Sequence, residues 1–278
     1  MELGKLTVKG TSVSGVSTCL IVMPYKVVLD IGTSSPEASR CRTVLITHAH
    51  IDHMAGAVSH AASRALAGES PSRFVCSPEV ASHLERLLQL WKEIQGDFGY
   101  EVLRLAPGDD PLALGKGLSV RAVPTFHRIA SQGYVLYETR RKLKPEYVGL
   151  QGAEIGALHQ SGVTVMDQTE VPVLAFLGDT TPEALSHPEV QRAQTLITEC
   201  TFVGGDVTDT YAREMGHTHL KELVPYLSGM AFKSLLLMHF SLRYSRKEVE
   251  ATVTETLPEQ VKQRTSVLFD DDSSVQKR

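Results

Sequence analysis

The stretch Thr47-His48-Ala49-His50-Ile51-Asp52-His53 sets three imidazoles and a carboxylate side by side, directly after the apolar run Thr43-Val44-Leu45-Ile46. In extended backbone, residues two apart point the same way, so His48 and His50 can reach one metal ion together from a strand end. Asp52 and His53, one turn further on, can serve a second. The residues that follow, Met54-Ala55-Gly56-Ala57-Val58, are small and helix-compatible. The ligands therefore lie where a strand hands over to a helix, with the carboxylate near the helix's positive end. A lone histidine is ordinarily a core or surface residue; a cluster at this spacing reads as a ligand set.

Three more segments repeat the pattern of an apolar strand ending in a metal-capable side chain. Val171 to Leu177 leads through Gly178 to Asp179, Ser234 to Met238 leads to His239, and Val120 to Phe126 leads to His127. Together these side chains are what two adjacent divalent ions require. Histidine and carboxylate donors suit zinc best, with manganese or iron as alternatives.

The rest of the chain fits a globular protein. Its 278 residues and hydrophobic fraction of 42% allow an ordinary buried core. No apolar stretch approaches the roughly 20 residues that a membrane helix needs, and the N-terminus lacks a secretion signal, so a protein without membrane contact is expected, cytoplasmic and not secreted, with a nuclear or organellar site as the alternative. Cys19, Cys41, Cys76 and Cys200 show no CxxC spacing and are expected to be reduced and structural. A net charge of -4 argues against a broad basic face and against DNA as a partner; RNA contacts would have to be local.

Aliphatic and β-branched runs at 19–23, 26–29, 43–46, 118–123, 171–177, 234–238 and 266–269 read as strands. They alternate with helical segments, which defines the α/β class. One helix opens at Ser77-Pro78-Glu79 and carries Val80, Leu84, Leu87, Trp91 and Ile94 on one face before Gly96. Another opens at Ser245 with Glu248 at capping-box spacing. No internal repeat is visible, and one domain over 1–270 with a fraying tail at 271–278 is expected.

The order His48-Ala49-His50-Ile51-Asp52-His53, His127, Asp179, His239 resembles the metallo-β-lactamase superfamily. Its finer likeness is to the ribonuclease Z family, in the short form. His127 followed by Gly133-Tyr134, Glu199-Cys200-Thr201-Phe202, Gly216-His217-Thr218-His219 and His239-Phe240-Ser241-Leu242-Arg243-Tyr244 resemble that family's blocks in order. The resemblance implies an αββα sandwich of two mixed sheets flanked by helices, with a di-metal site at one sheet edge. It also implies two zinc ions, one on His48, His50 and His127 and the other on Asp52, His53 and His239, bridged by Asp179.

The implied activity is hydrolysis of precursor tRNA next to its 3′ trailer by a metal-activated hydroxide, leaving a 3′ hydroxyl, in a homodimer. In that scheme Asp52 accepts the water's proton, and His217, oriented and kept protonated by Glu199, is the acid for the leaving alkoxide. Candidate substrate contacts are Thr218, Arg243 and Tyr244 near the metals, with Arg140, Arg141, Lys142 and Lys144 in a basic patch. That patch lies in the region 140–171, which occupies the place of the family's tRNA-holding arm but lacks its Gly-Pro pattern. A second departure is His219, where the family has a hydroxyl residue. Cys200 is expected to be a small buried residue rather than a nucleophile. Two rival functions are a hydrolase of the same fold acting on a small phosphodiester or other small substrate, and a binding protein whose metals only stabilise it. The Glu199–His217 pair argues against lactone or thioester substrates, which need no such acid.

Overall fold

Runs without polar alternation need cover on both faces, and the strands here receive it. In 20–22, Leu20 and Val22 face one way and Ile21 the other, and all three are buried. The computed structural model describes residues 1–269, so the tail expected at 271–278 lies outside the described residues.

The first sheet comprises β1 (Glu2–Leu3), β2 (Leu6–Val13), β3 (Ser17–Met23), β4 (Val27–Leu29), β5 (Thr43–Leu45), β6 (Ser72–Cys76) and β7 (Tyr100–Arg104), in that spatial order. Pairing is antiparallel from β1 to β4 and parallel from β4 to β7. The second sheet comprises β8 (Leu112–Gly115), β9 (Leu118–Pro124), β10 (Gln132–Leu143), β11 (Met166–Phe176), β12 (Thr195–Glu199), β13 (Ser234–Met238) and β14 (Thr265–Val267), again in sequence order. It too is antiparallel through its first four strands and parallel through the rest. The topology repeats although the sequence shows no repeat.

The described helices are α1 (Ile51–Met54), α2 (Ala57–Leu66), α3 (Pro78–Gln95), α4 (Gly152–Gln160), α5 (Pro188–Gln191), α6 (Asp209–Glu214), α7 (Leu220–Ser228), α8 (Arg246–Thr256) and α9 (Glu259–Lys262). Three apolar layers separate them from the sheets and the sheets from each other. Leu20, Val22, Leu29 and Leu45 meet Val120, Tyr134, Phe176 and Met238 between the sheets. Ile21, Val44, Ile46 and Phe74 pack under α2 and α3. Val135, Ala175, Leu196 and Leu235 pack under α7 and α8. This is an αββα sandwich of two mixed sheets.

The two helix starts behave as their sequences require. Ser77 accepts a hydrogen bond from the Val80 amide, and Ser245 and Glu248 form a reciprocal capping box. The stripe on α3 differs from expectation in its second half. Val80, Ala81, Leu84 and Leu88 face the sheet, whereas Trp91 and Ile94 are exposed. Leu87 and Trp91 instead line a surface groove of about 460 Å³ with Ile51, Met54 and Val58 of α1 and α2.

The region 140–171 is a projecting ribbon. β10 and β11 continue their pairing from Thr139↔Glu170 to Leu143↔Met166, beyond the last β9 partner, and α4 lies at the tip. Arg140, Arg141 and Lys142 are exposed on it.

Candidate active site

The carboxyl ends of β4, β5, β11, β12 and β13 converge on one rim of the sandwich, where open α/β sheets ordinarily hold ligands. β4 leads to Asp30, β5 leads through Thr47 to His48, β11 leads to Asp179, β12 ends in Glu199, and β13 leads to His239. Two backbone features permit the convergence. Asp30 and His239 adopt left-handed conformations, with φ of 54° and 62°, which is uncommon outside glycine. Gly178, at φ 62°, lets the Asp179 segment pass the first half, since a Cβ there would lie 2.7 Å from Thr47 Oγ1.

All seven expected ligands meet in one cage. His50 Nδ1 lies 3.0 Å from His48 Nε2 and 3.2 Å from His127 Nε2. Asp179 Oδ2 lies 3.8 Å from His48 Nε2 and 4.0 Å from His127 Nε2. The second group is Asp52 Oδ2, His53 Nε2 and His239 Nε2, spaced 3.3–3.5 Å apart, with Asp179 Oδ1 3.3 Å from both imidazoles. Donors roughly 2.0–2.1 Å from a tetrahedral ion lie roughly 3.3–3.4 Å apart, so the second group has the edges of a metal site, and the first comes near them at its imidazoles with Asp179 Oδ2 further off. Asp179 turns one oxygen to each, and its buried Oδ1 has no hydrogen-bond partner, an orphan that a cation would satisfy.

The electrostatics agree. Burial pulls His48 down to about 2 and lowers His50 and His127, keeping these imidazoles neutral, as metal ligands must be. Burial would lower His53 as well, but Asp179 and Asp30 lift it well above its ordinary range. Burial would raise Asp179, yet His239, His53 and His48 hold it well below.

Each ligand imidazole except His50 is held from behind, the arrangement that fixes tautomer and aim. His53 Nδ1 lies 2.7 Å from Asp30 Oδ2, His48 Nδ1 3.0 Å from Thr47 Oγ1, His127 Nδ1 2.7 Å from Gly216 O, and His239 Nδ1 3.0 Å from Thr201 Oγ1. Asp30 also accepts from the Thr47 amide and hydroxyl. Sequence reading passed over Asp30 and Thr47 as site residues, although their position beside the ligand strand could have marked them.

His217 sits at the rim of the cage, its Nδ1 3.9 Å from Asp179 Oδ2 and 2.9 Å from Glu199 Oε1. Burial disfavours its charged form, but the Glu199 carboxylate outweighs that and lifts its pKa to about 9. Glu199 is wholly buried and also accepts from the amides of Thr180, Thr201 and Thr218 and from the Thr201 hydroxyl. The helix after this loop is capped by His219, not by His217: His219 Nδ1 accepts from the Lys221 amide and Nε2 meets Gly204 O.

The other expected site residues have different surroundings. Thr218 is fully buried, its hydroxyl donating to Thr180 O, so it fastens the loop instead of facing substrate. Tyr244 is 8% exposed and bonds Asp206 through its hydroxyl. Arg243 pairs with the same Asp206 and lies over the Phe202 ring. Arg128 was not anticipated: exposed, next to His127, it packs over Gly216 and reaches Met215, with no carboxylate partner among the described residues. Phe126, half exposed, flanks His127 on the other side. The four cysteines are free and buried, and burial lifts the Cys200 thiol well above its ordinary range, which removes it as a nucleophile.

Fold and cage define a metal-dependent hydrolase. Residues 31–240 match the beta-lactamase superfamily domain. The chain is 36% identical to tRNase Z TRZ2, chloroplastic, of Arabidopsis thaliana, over 91% of this chain and 72% of that one. It is 34% identical to tRNase Z TRZ1 of the same plant, over 93% of each. The crystal structure of human tRNase Z, short form, superposes with a TM-score of 0.63 at 19% identity, covering 95% of this chain and 96% of that one. The protein belongs to the ribonuclease Z branch of the beta-lactamase superfamily.

Proposed function

We propose that this chain is an endoribonuclease that removes the 3′ trailer of precursor tRNA, leaving a 3′ hydroxyl. The observation that carries the reading is the seven-ligand cage with the Glu199-braced His217 at its rim, supported by relatives named tRNase Z along most of the chain. Two zinc ions are the proposed occupants, one on His48, His50 and His127, one on Asp52, His53 and His239, with Asp179 between. Bound there, they would activate a water near neutral pH and neutralise charge on the phosphate.

The chain's own groups divide the remaining work. Asp52 Oδ2 faces the ligand imidazoles and accepts the Gly15 amide at 2.8 Å, leaving Oδ1 to take the water's proton. His217 turns Nδ1 to Glu199 and presents Nε2 to the departing oxygen, where a positioned acid contributes a factor of roughly 10² to 10⁴. Arg128, with no carboxylate partner among the described residues, is a better phosphate contact than Arg243, and Phe126 offers a face for a base. The ribbon residues Arg140, Arg141, Lys142 and Lys144 would follow the tRNA backbone away from the cut.

We also assign a single domain over 1–270, a homodimer and a cytoplasmic site of action. Among the described residues no helix is long and apolar enough to cross a membrane.

The deciding experiment is cleavage of a precursor tRNA by the zinc-loaded protein, with the cut mapped and an unstructured RNA of equal length as control. One cut next to the discriminator nucleotide, absent from the control, supports the assignment. No cut by protein that still hydrolyses a chromogenic phosphodiester moves the function to a small substrate, and loss of both activities with metal bound points to a binding protein.

A further inference from the structure

The hydroxyl of Thr201 touches both functional halves of the site. Its Oγ1 lies 2.5 Å from Glu199 Oε2, 3.0 Å from His239 Nδ1 and 3.4 Å from His217 Nδ1. Its backbone holds the same segment, because the Ser241 amide donates to Thr201 O and the Cys200 amide to Met238 O on either side of His239. All four side chains are buried or nearly so.

The direction of each hydrogen bond is fixed by what the groups can do. Glu199 receives three backbone amides, which can only donate, so it acts as an accepting carboxylate. The single hydroxyl proton of Thr201 therefore goes to Glu199 at the shorter contact. Towards His239 the hydroxyl can then only accept, which places a proton on His239 Nδ1 and leaves the Nε2 lone pair facing the cage. The left-handed backbone of His239 makes this restraint more consequential, since such a residue persists only where its surroundings hold it.

We propose that Thr201 is a positioning residue that links the acid pair to the metal cage through the ordered chain His239 Nδ1–H, Thr201 O–H, Glu199 carboxylate, fixing the His239 tautomer for metal binding. It rests on the two-metal reading of the cage. The consequence is that affinity at the Asp52–His53–His239 position depends on a residue that touches neither metal nor substrate.

The test compares Thr201→Val, which keeps shape and removes every hydroxyl contact, with Thr201→Ser, which keeps the hydroxyl. Zinc held by the full-length protein is measured by elemental analysis during chelator competition. Wild type is expected to hold two equivalents. Thr201→Val should keep the first and bind the second roughly 10- to 100-fold more weakly, the usual cost of losing a partner behind a ligand. Thr201→Ser should restore it to within a few-fold.

Wild-type affinity for both zincs in Thr201→Val would overturn the proposal, as would a serine variant no better than the valine one. Failure of wild type to hold two zincs would overturn the two-metal reading itself, a different result from the same titration. Nitrogen-15 spectra of the metal-free wild type give a check that needs no variant. His239 protonated on Nδ1 agrees, and His239 protonated on Nε2 overturns the proposal.

Discussion

The two halves of the sandwich share one topology and put it to different use. In both, the fourth strand leads to a carboxylate on the rim, Asp30 after β4 and Asp179 after β11. In the first half Asp30 holds His53 and Thr47 from behind, while in the second Asp179 turns one oxygen to each group of cage residues. The next strand end carries four cage residues after β5, and the buried Glu199 followed by Thr201 at the end of β12. The hairpins differ as well. β3 and β4 are joined by the tight turn 24–26, whereas β10 and β11 run past their sheet into the ribbon and α4. One fold pattern thus supplies four cage residues from the first half, and from the second His127, Asp179 and His239 together with the Glu199–His217 pair and the ribbon.

Asp179→Ala is the sharpest attempt to break this division, because it takes a donor from both metal positions at once. Phosphodiester hydrolysis should fall to background, and elemental analysis should show fewer than two metal ions per chain. Two retained ions would mean that Asp30 and Asp179 are interchangeable braces.

His217→Ala tests the second half alone. Both ions should remain, and single-turnover cleavage of precursor tRNA should slow by roughly 10²-fold or more. Glu199→Gln should act through the same imidazole. The carboxylate holds His217 up to about 9, so its loss lowers that pKa and moves the alkaline limb of the rate profile to lower pH. An unmoved limb would separate Glu199 from the acid.

Neutralising Arg140, Arg141, Lys142 and Lys144 probes the unequal hairpins. Hydrolysis of a small chromogenic phosphodiester should be unchanged, while binding of precursor tRNA weakens and its log–log salt slope flattens by about 0.7 to 0.9 per lost phosphate contact. An unchanged slope would return the ribbon to ordinary surface.

The smallest effect concerns a histidine of the first half that lies outside the cage. His60 is buried on α2, bonded to Ser72 Oγ and to the carbonyls of Ala38 and Cys41, and burial lowers its pKa to about 4. Between pH 4 and its ordinary value of 6.5 the unfolded chain binds more protons at this position than the folded one. Its share of stability, about 3 kcal/mol by linkage, is complete above pH 6.5 and is lost as the pH falls towards 4. Urea midpoints across this range should be flatter for His60→Gln than for wild type; parallel curves would show that His60 is not held neutral.

The cluster 47–53 is local, so backbone periodicity alone sets its donors side by side, and it was legible from spacing. The apolar runs named their strands for a similar reason, and the caps at Ser77 and Ser245 require only neighbours a few residues away. His127, Asp179, His217 and His239 are each single residues at separate strand or loop ends, and their meeting was implied by resemblance to a known order of motifs. Strand β12 hides in Thr195–Glu199, and Trp91 and Ile94 read as core although they lie at the surface.

What the sequence by itself determined is the chemistry available: which side chains can bind a metal, which segments must be buried, and where the helices start. Only the tertiary structure decided what those groups face. It assigned Asp30, Thr47 and Thr201 to the backs of the cage imidazoles, turned Thr218 and Tyr244 inward, and left Arg128 exposed beside the cage with no carboxylate partner among the described residues. Ligand identity follows from local spacing, but hydrogen-bond direction and exposure depend on residues tens to hundreds of positions apart, such as His53 and His239, which only the packing of two sheets brings within 3.3 Å.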